Sequence, residues 1–342
     1  MLPTNSKAYL PVLDAMRGIA AVSVCWFHLT NAQFSEVFSA YKASGQIGWL
    51  GVQVFFVISG FVIPFSLFLA GYRINAFFKF LLKRILRLDP PYLCSVAFVV
   101  CAYYMSSLIS RTVPPYSIPW LQVAAHIGYL NAFAGLPLFQ MSYWSLAIEF
   151  QYYLFVGLVF PMLARPGYAE SATIYAAIAL TSLLAGHNKA FLPQFLPLFL
   201  IGITVFRFKC LGIHWLDLTL GIGIGVILVF FLQGPPPAIA GLASALTILF
   251  VNGTTRLLTF FGKISYSLYL MHVIVGDIVY GLAVRHASHP GLLRWVLPFI
   301  ALGVAIAIAF ILYRVVEVPS KRWSSAIRYD TQILPSLVEV AS

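Results

Sequence analysis

Apolar residues gather along the chain into ten stretches, at approximately 10–30, 47–70, 91–109, 143–163, 171–186, 191–206, 214–232, 237–251, 260–283 and 295–314. A helix rising about 1.5 Å per residue needs about 20 residues to cross about 30 Å of hydrocarbon. The pattern therefore predicts an all-α, polytopic transmembrane helical bundle of about ten spans. Stretches between 171 and 251 are short and closely spaced, so tilted or broken helices are expected there. Gly221, Gly223 and Gly225 in one of them, with Gly202 in its neighbour, offer small faces on which membrane helices approach closely. The segment 110–142 carries Pro114, Pro115 and Pro119 before "WLQVAAHIGYLNAFAG" and predicts an interfacial helix or a re-entrant piece.

Composition excludes the soluble alternative. Of 342 residues 61% are hydrophobic and 9% charged, against about 25% charged in a soluble domain. So few charges cannot cover a water-facing surface, whereas lipid accepts leucine and phenylalanine outside a bundle. No polar segment is long enough for a second domain, so residues 1–342 read as one membrane domain, with a core at about 10–330 and a tail at 331–342. The first apolar run has Arg17 at its start and no small-residue cleavage site after it, so it is expected to remain as a helix rather than be removed as a leader. Cys25, Cys94, Cys101 and Cys210 lack metal-ligand or disulfide spacing and read as packing residues.

The basic excess, 21 Lys and Arg against 10 Asp and Glu, reads as a topology signal rather than a nucleic-acid surface. Ten spans with the N-terminus inside put sixteen basic residues on the inner side and five, Lys42, Arg111, Lys189, Arg285 and Arg294, outside. The positive-inside tendency then places both termini in the cytoplasm.

A charge in hydrocarbon must snorkel, pair or face a wet cavity, so each such residue is a site candidate. Arg17 and His28 are eleven residues apart, three helical turns plus about 20°, and share a face about 16 Å long. The bland reading is a snorkelling arginine and a hydrogen-bonded interfacial histidine. "KFLLKRILRL" sets Lys79, Lys83, Arg84 and Arg87 on the inner side, where they bind lipid headgroups, fix topology or present paired donors to phosphate. Ser145, Glu149 and Tyr153 share one face, and Glu149 at that depth needs a partner, for which His28 lies at comparable height. In "FGKISYSLYLMH", Ser265, Tyr269 and His272 share a face, with His272 near mid-membrane. Ser59-Gly60 in the second span allows a ligand or another helix to approach. Asp14 and Glu317 are boundary carboxylates expected to pair with Arg17, Arg322 or another basic residue. Walker, GxGxxG and HExxH patterns are absent from the sequence, which removes ATP hydrolysis, dinucleotide redox and metalloprotease chemistry as economical readings.

In order, "LDAMRGIAAVSVCWFHL", "VQVFFVISGFVI", "KRILRLDPPY", "YWSLAIEFQYYL", "FGKISYSLYLMH" and "VVEVPSKR" resemble the successive motifs of membrane-bound acyltransferase family 3. The resemblance covers nearly the whole chain. It implies transfer of an acyl group, above all acetyl, from cytosolic acyl-CoA to a hydroxyl of a cell-envelope or secreted carbohydrate or glycolipid, in a bacterial inner membrane. Arg17 and His28 match the arginine and histidine of the family's first helix, Arg84 and Arg87 its basic pair, and Glu149 the glutamate after Trp-Ser. Where the family often carries a second acidic residue next, this chain has Phe150. Ser265, Tyr266, Tyr269 and His272 match the late-helix motif. Some members carry a fused hydrolase-like domain, and none is expected within these residues.

Transfer from a thioester chiefly needs a base of near-neutral pKa, aligned substrates and donors for the developing oxyanion. The expected catalytic residues are His28 as base, Glu149 as its orienting partner, and His272. Those expected around the donor are Arg17, Arg84, Arg87, Ser59, Ser265 and Tyr269, with no metal and with membrane lipids but no nucleic acid as further partners. The competing reading is a glycolipid or polysaccharide-precursor transporter or flippase without acyl transfer; a purely structural subunit stands third. The acceptor sugar and the oligomeric state have no signature in the sequence.

Overall fold

The computed structural model describes residues 10–32, 39–109, 117–286 and 293–329, without the side chains of 32, 284–286 and 293–294. Among the described residues it is a bundle of thirteen α-helices: α1 (Pro11–Phe27), α2 (Ser39–Gly45), α3 (Gly51–Leu69), α4 (Phe77–Ile109), α5 (Trp120–Ile127), α6 (Trp144–Leu163), α7 (Tyr168–Ala185), α8 (Leu196–Phe206), α9 (Trp215–Gln233), α10 (Pro235–Phe250), α11 (Arg256–His286), α12 (Leu293–Leu312) and α13 (Val318–Ala326). Lys7, Arg111, Pro114, Pro115 and the 331–342 tail lie outside the described residues, as do the side chains of Arg285 and Arg294.

Every apolar stretch of the sequence falls in helix. Among the described residues eight helical segments are long and apolar enough to cross a membrane, by length and composition. α8, with 11 residues, and α10, with 16, are shorter. Eight of the ten expected spans thus meet that criterion of length and composition; α10 falls short of it in length, and so does α8. All eleven of its residues are buried, and a helix apolar on every side is as well suited to a protein interior as to lipid. Conversely, Phe78, Leu184 and Phe231 are 75–80% exposed on the outside of the bundle, an arrangement that hydrocarbon tolerates and water does not. The sequence also predicts a span beginning at 91; instead α4 runs unbroken through Pro90 and Pro91, so that the basic stretch and the apolar stretch form one helix.

Two close crossings fix the interior. α1 packs along α11, where Gly18 and Gly262 face one another: a Cβ on Gly18 would come within 2.9 Å of the Gly262 amide nitrogen, and one on Gly262 would overlap the Asp14 carbonyl oxygen. α3 packs on α8, where a Cβ on Gly60 would overlap Phe199 O and one on Gly202 would overlap Val57 O. Gly60 therefore serves helix packing, and Gly202 meets α3 rather than the Gly221–Gly225 stretch. Gly221 and Gly225 do press on α8, against Thr204 and Ile201, while Gly223 has nothing within 4 Å. Small residues substitute here for the hydrophobic driving force that lipid removes.

The four cysteines are free thiols. Cys25 is buried, but Cys94 and Cys101 are exposed on the outside of α4 rather than packed.

Candidate active site

Arg17 of α1, residues 52–63 of α3, 84–88 of α4, 145–153 of α6 and 262–269 of α11, with Glu317 and Lys321 at the start of α13, line a cleft of about 120 Å³. Arg17, Arg84, Arg87 and Lys321 bring four cationic groups to it, and Glu149 and Glu317 two carboxylates. Lys321 Nζ pairs with Glu317 Oε1 at 2.7 Å, while Glu317 Oε2 accepts from Ser267 at 2.6 Å. Glu317 thus pairs with a basic residue as expected of it, and that residue is Lys321.

The arginines are less fully engaged. Arg84 is 7% exposed, donates to Ser66 Oγ at 2.6 Å, lies 5.4 and 5.7 Å over the rings of Phe80 and Tyr153, and keeps a buried Nε without a partner. Arg17 and Arg87 line the cleft without a hydrogen bond or ion pair to any described residue. A buried guanidinium with open donors is a costly state that an anion relieves. The donor set and its cationic excess fit a phosphorylated group such as the acyl-CoA nucleotide, because guanidinium forks match phosphate oxygens. Among the described residues no His, Cys, Asp and Glu side chains group as metal ligands.

Further along, Ser145, Glu149 and Tyr153 face the cleft together, as their spacing on α6 predicts. Glu149 Oε1 accepts from Ser59 at 3.0 Å and Tyr153 at 2.6 Å. Tyr269 OH donates to Ser142 O at 3.0 Å and lies 2.6 Å from Ser145 Oγ; Ser265 donates to Gly262 O at 2.8 Å. Ser59, Ser265 and Tyr269 therefore line the cleft with hydroxyls already committed to protein acceptors.

The structure separates His28 from the partner expected for it. Its neighbour is not Glu149 but His272, with His28 Nδ1 to His272 Nε2 at 3.2 Å and the rings 4.9 Å apart. The close α1–α11 crossing makes this meeting, and it cannot be read from either helix alone. The tautomers follow from the carbonyls. His28 Nδ1 lies 2.9 Å from Val24 O and His272 Nδ1 lies 3.1 Å from Leu268 O. A carbonyl only accepts, so both Nδ1 atoms carry protons, and His272 Nε2 offers a lone pair to the His28 N–H. His28 Nε2 is left as an unprotonated nitrogen. His28 also opens a π turn, His28–Ala32, a distortion found often at functional positions. Tyr269 links the two regions: it lines the cleft, and its ring is 5.6 Å from that of His272.

Lys321 was missed at the sequence level. The only signal for it was its place four residues after Glu317 in the closing motif, which made an (i, i+4) pair available.

Fold and site together describe a multi-spanning helical membrane protein with an anion-suited cleft and a histidine pair that does not line it but touches it through Tyr269. Residues 10–314 match the acyltransferase domain family, and the chain belongs to that family. It is 34% identical to O-acetyltransferase OatA of Staphylococcus aureus (strain NCTC 8325 / PS 47) over 172 residues, which cover 46% of this chain and 26% of the relative. It is 25% identical to the protein named "Putative O-acetyltransferase SACOL0978" of Staphylococcus aureus (strain COL) over 402 residues, covering 97% of this chain and 61% of the relative. The chain thus spans only part of the length of these curated relatives. No solved structure matches it.

Proposed function

We propose that the protein is an O-acyltransferase that moves an acyl group, acetyl in the first instance, from cytosolic acyl-CoA to a hydroxyl of a cell-envelope carbohydrate. The observation that carries this reading is the coupling of two features along α1: an unsatisfied Arg17 at one end, beside Arg84 and Arg87 of α4, and, about 16 Å along, an imidazole whose free nitrogen its neighbours define. The family and the names of the relatives support the same class of reaction.

When bound, acyl-CoA supplies a thioester carbonyl already activated for transfer. Arg17, Arg84 and Arg87, with Lys321 beside them, hold its phosphates by charge-assisted hydrogen bonds. His28 Nε2 takes the proton from the acceptor hydroxyl. As His28 becomes positive, its Nδ1–H strengthens its bonds to Val24 O and His272 Nε2, so His272 orients the base and shares its charge. Glu149 acts apart from this pair: by holding Ser59 and Tyr153 it shapes the middle of the cleft and offsets the arginine charge. In this reading the arginine end and both termini are cytoplasmic, as the ten-span threading that puts most basic residues inside has them.

The test is purified protein in liposomes with isotopically labelled acetyl-CoA and cell-envelope glycans, followed by mass analysis. The reading predicts label on the glycan as an ester. Label confined to CoA while unmodified glycolipid crosses the bilayer would overturn it in favour of transport.

A further inference from the structure

The loop between α5 and α6, residues 128–143, helps to form a second cavity of about 170 Å³ that the donor cleft does not use. The two lie on different faces of the start of α6: Tyr143, Trp144 and Ala147 line this cavity, while Ser145, Leu146 and Glu149 line the cleft. We propose that the second cavity binds one neutral pyranose ring of the carbohydrate acceptor, a step that rests on the reading of the protein as a carbohydrate O-acyltransferase.

Three observations select that ligand. The first is an unanswered acceptor. Asn131 is 2% exposed and its Nδ2 lies 3.1 Å from both Pro137 O and His126 Nδ1, yet its Oδ1, on a residue that lines the cavity, has no partner. The same loop holds Gln140, with neither amide atom paired, and Ser142, with an unpaired hydroxyl. Of these residues only Asn131 lines the cavity; Gln140 and Ser142 lie in the loop beside it. Buried polar groups are ordinarily paired, so the Asn131 amide at the cavity asks for a polar ligand.

The second observation is the wall. Tyr92, Tyr129, Tyr143 and Trp144 border the cavity, and aromatic carbons suit the C–H faces of a sugar ring while its hydroxyls reach an amide. The third is the absence of charge: none of the lining residues is ionic. An anion would meet no counter-charge there, and a lipid tail would leave Asn131 Oδ1 unanswered. A neutral polyhydroxylated ring satisfies both constraints. The volume of about 170 Å³ suits a ring-sized ligand and not a polymer.

The cavity stands one side chain away from the donor cleft. Tyr129 lines it and also lines a gap of about 10 Å³ beside Arg84 and Glu149, with its hydroxyl donated to Asp89 at 2.9 Å. Its ring is stacked between Tyr92 and Phe150, both at 5.0 Å. Tyr129 also has a φ of +57°, a left-handed conformation that non-glycine residues rarely adopt and that surrounding structure must hold in place. Phe150, which lines the same gap, thus completes the partition between the two chambers.

Saturation-transfer NMR on the full chain in phospholipid nanodiscs, free of sugar-based detergent, tests this with methyl β-D-glucopyranoside and N-acetylglucosamine as probes. Transfer to the ring protons of either probe is expected without CoA. Asn131→Leu is expected to weaken binding about five- to tenfold, the value of one lost hydrogen bond, and Ala132→Trp, at an exposed position on the cavity lining, to block it. If Asn131→Leu does not fold, Ala132→Trp decides. No transfer to either probe, or binding by a folded variant equal to that of the original chain, would overturn the proposal. Acyl transfer to glycan without probe binding would defeat this inference alone; probe binding by a protein that takes up no acyl-CoA would defeat the donor assignment alone.

Discussion

Arg207 and Arg84 are both arginines withdrawn into an apolar bundle, and both keep an unpaired Nε; what their terminal nitrogens meet differs. Arg207 donates to Leu163 O at 2.9 Å, to Ser171 Oγ at 2.8 Å and to Gly167 O at 3.5 Å, and Ser171 passes the connection to Asp217 at 2.9 Å. Its charge is closed within the protein and ties α6, α7 and α9 together. Arg84 donates to one hydroxyl and faces a cleft that it shares with two further arginines. Burial alone therefore does not separate a structural cation from a ligand-binding one. The number of acceptors the protein itself supplies does.

That contrast predicts opposite phenotypes. The largest effect on stability is expected from Arg207→Met, which removes the donors to Leu163 O, Gly167 O and Ser171 Oγ and costs about 1–3 kcal/mol for each buried group left unsatisfied. Thermal unfolding followed by a thiol dye should show a markedly lower Tm, with acyl-CoA affinity in the folded fraction unchanged. Next, Arg84→Ala is expected to leave Tm almost untouched and to weaken acyl-CoA binding about 10- to 100-fold, the value of a charge-assisted contact, as read by equilibrium dialysis. Were Arg84→Ala instead to unfold the protein, the contrast would fail.

Smaller effects should follow for Lys321→Ala. Its ammonium is already shared with Glu317 at 2.7 Å and its side chain is 37% exposed, so a loss of about threefold in acyl-CoA affinity is expected, the scale of a surface ion pair. Smaller still is the effect of salt on the fold. Added salt should weaken acyl-CoA binding steadily, because the open cleft admits counter-ions, while the Arg207 network should be nearly insensitive. Equal salt dependence of binding and of Tm would remove the distinction between the two sites.

These differences also mark what was legible in the sequence. Hydropathy located the helices, and the cost of charge in lipid singled out Arg17, His28, Arg84, Glu149 and His272 as residues in need of a reason. Neither signal says which of them meet. His28 finds His272 because Gly18 and Gly262 let α1 and α11 touch, and Glu149 finds Ser59 on α3, relations set by helix crossings and not by spacing within a helix. α8 shows the same gap from another side, since complete apolarity reads identically for a span and for a buried helix. The passage of α4 through Pro90 and Pro91 and the π turn at His28 are local departures that packing sustains against the local rule.

The central claim is that the two ends of the α1 face divide the work, with arginines binding the donor and His28 acting as base. Acetyl-CoA binding and glycan acetylation measured side by side on His28→Ala test this most directly. The account predicts donor affinity within about twofold of the original and transfer reduced about 10²- to 10⁴-fold, the range of general-base catalysis. Transfer at the original rate, or loss of donor binding in step with activity, would contradict it.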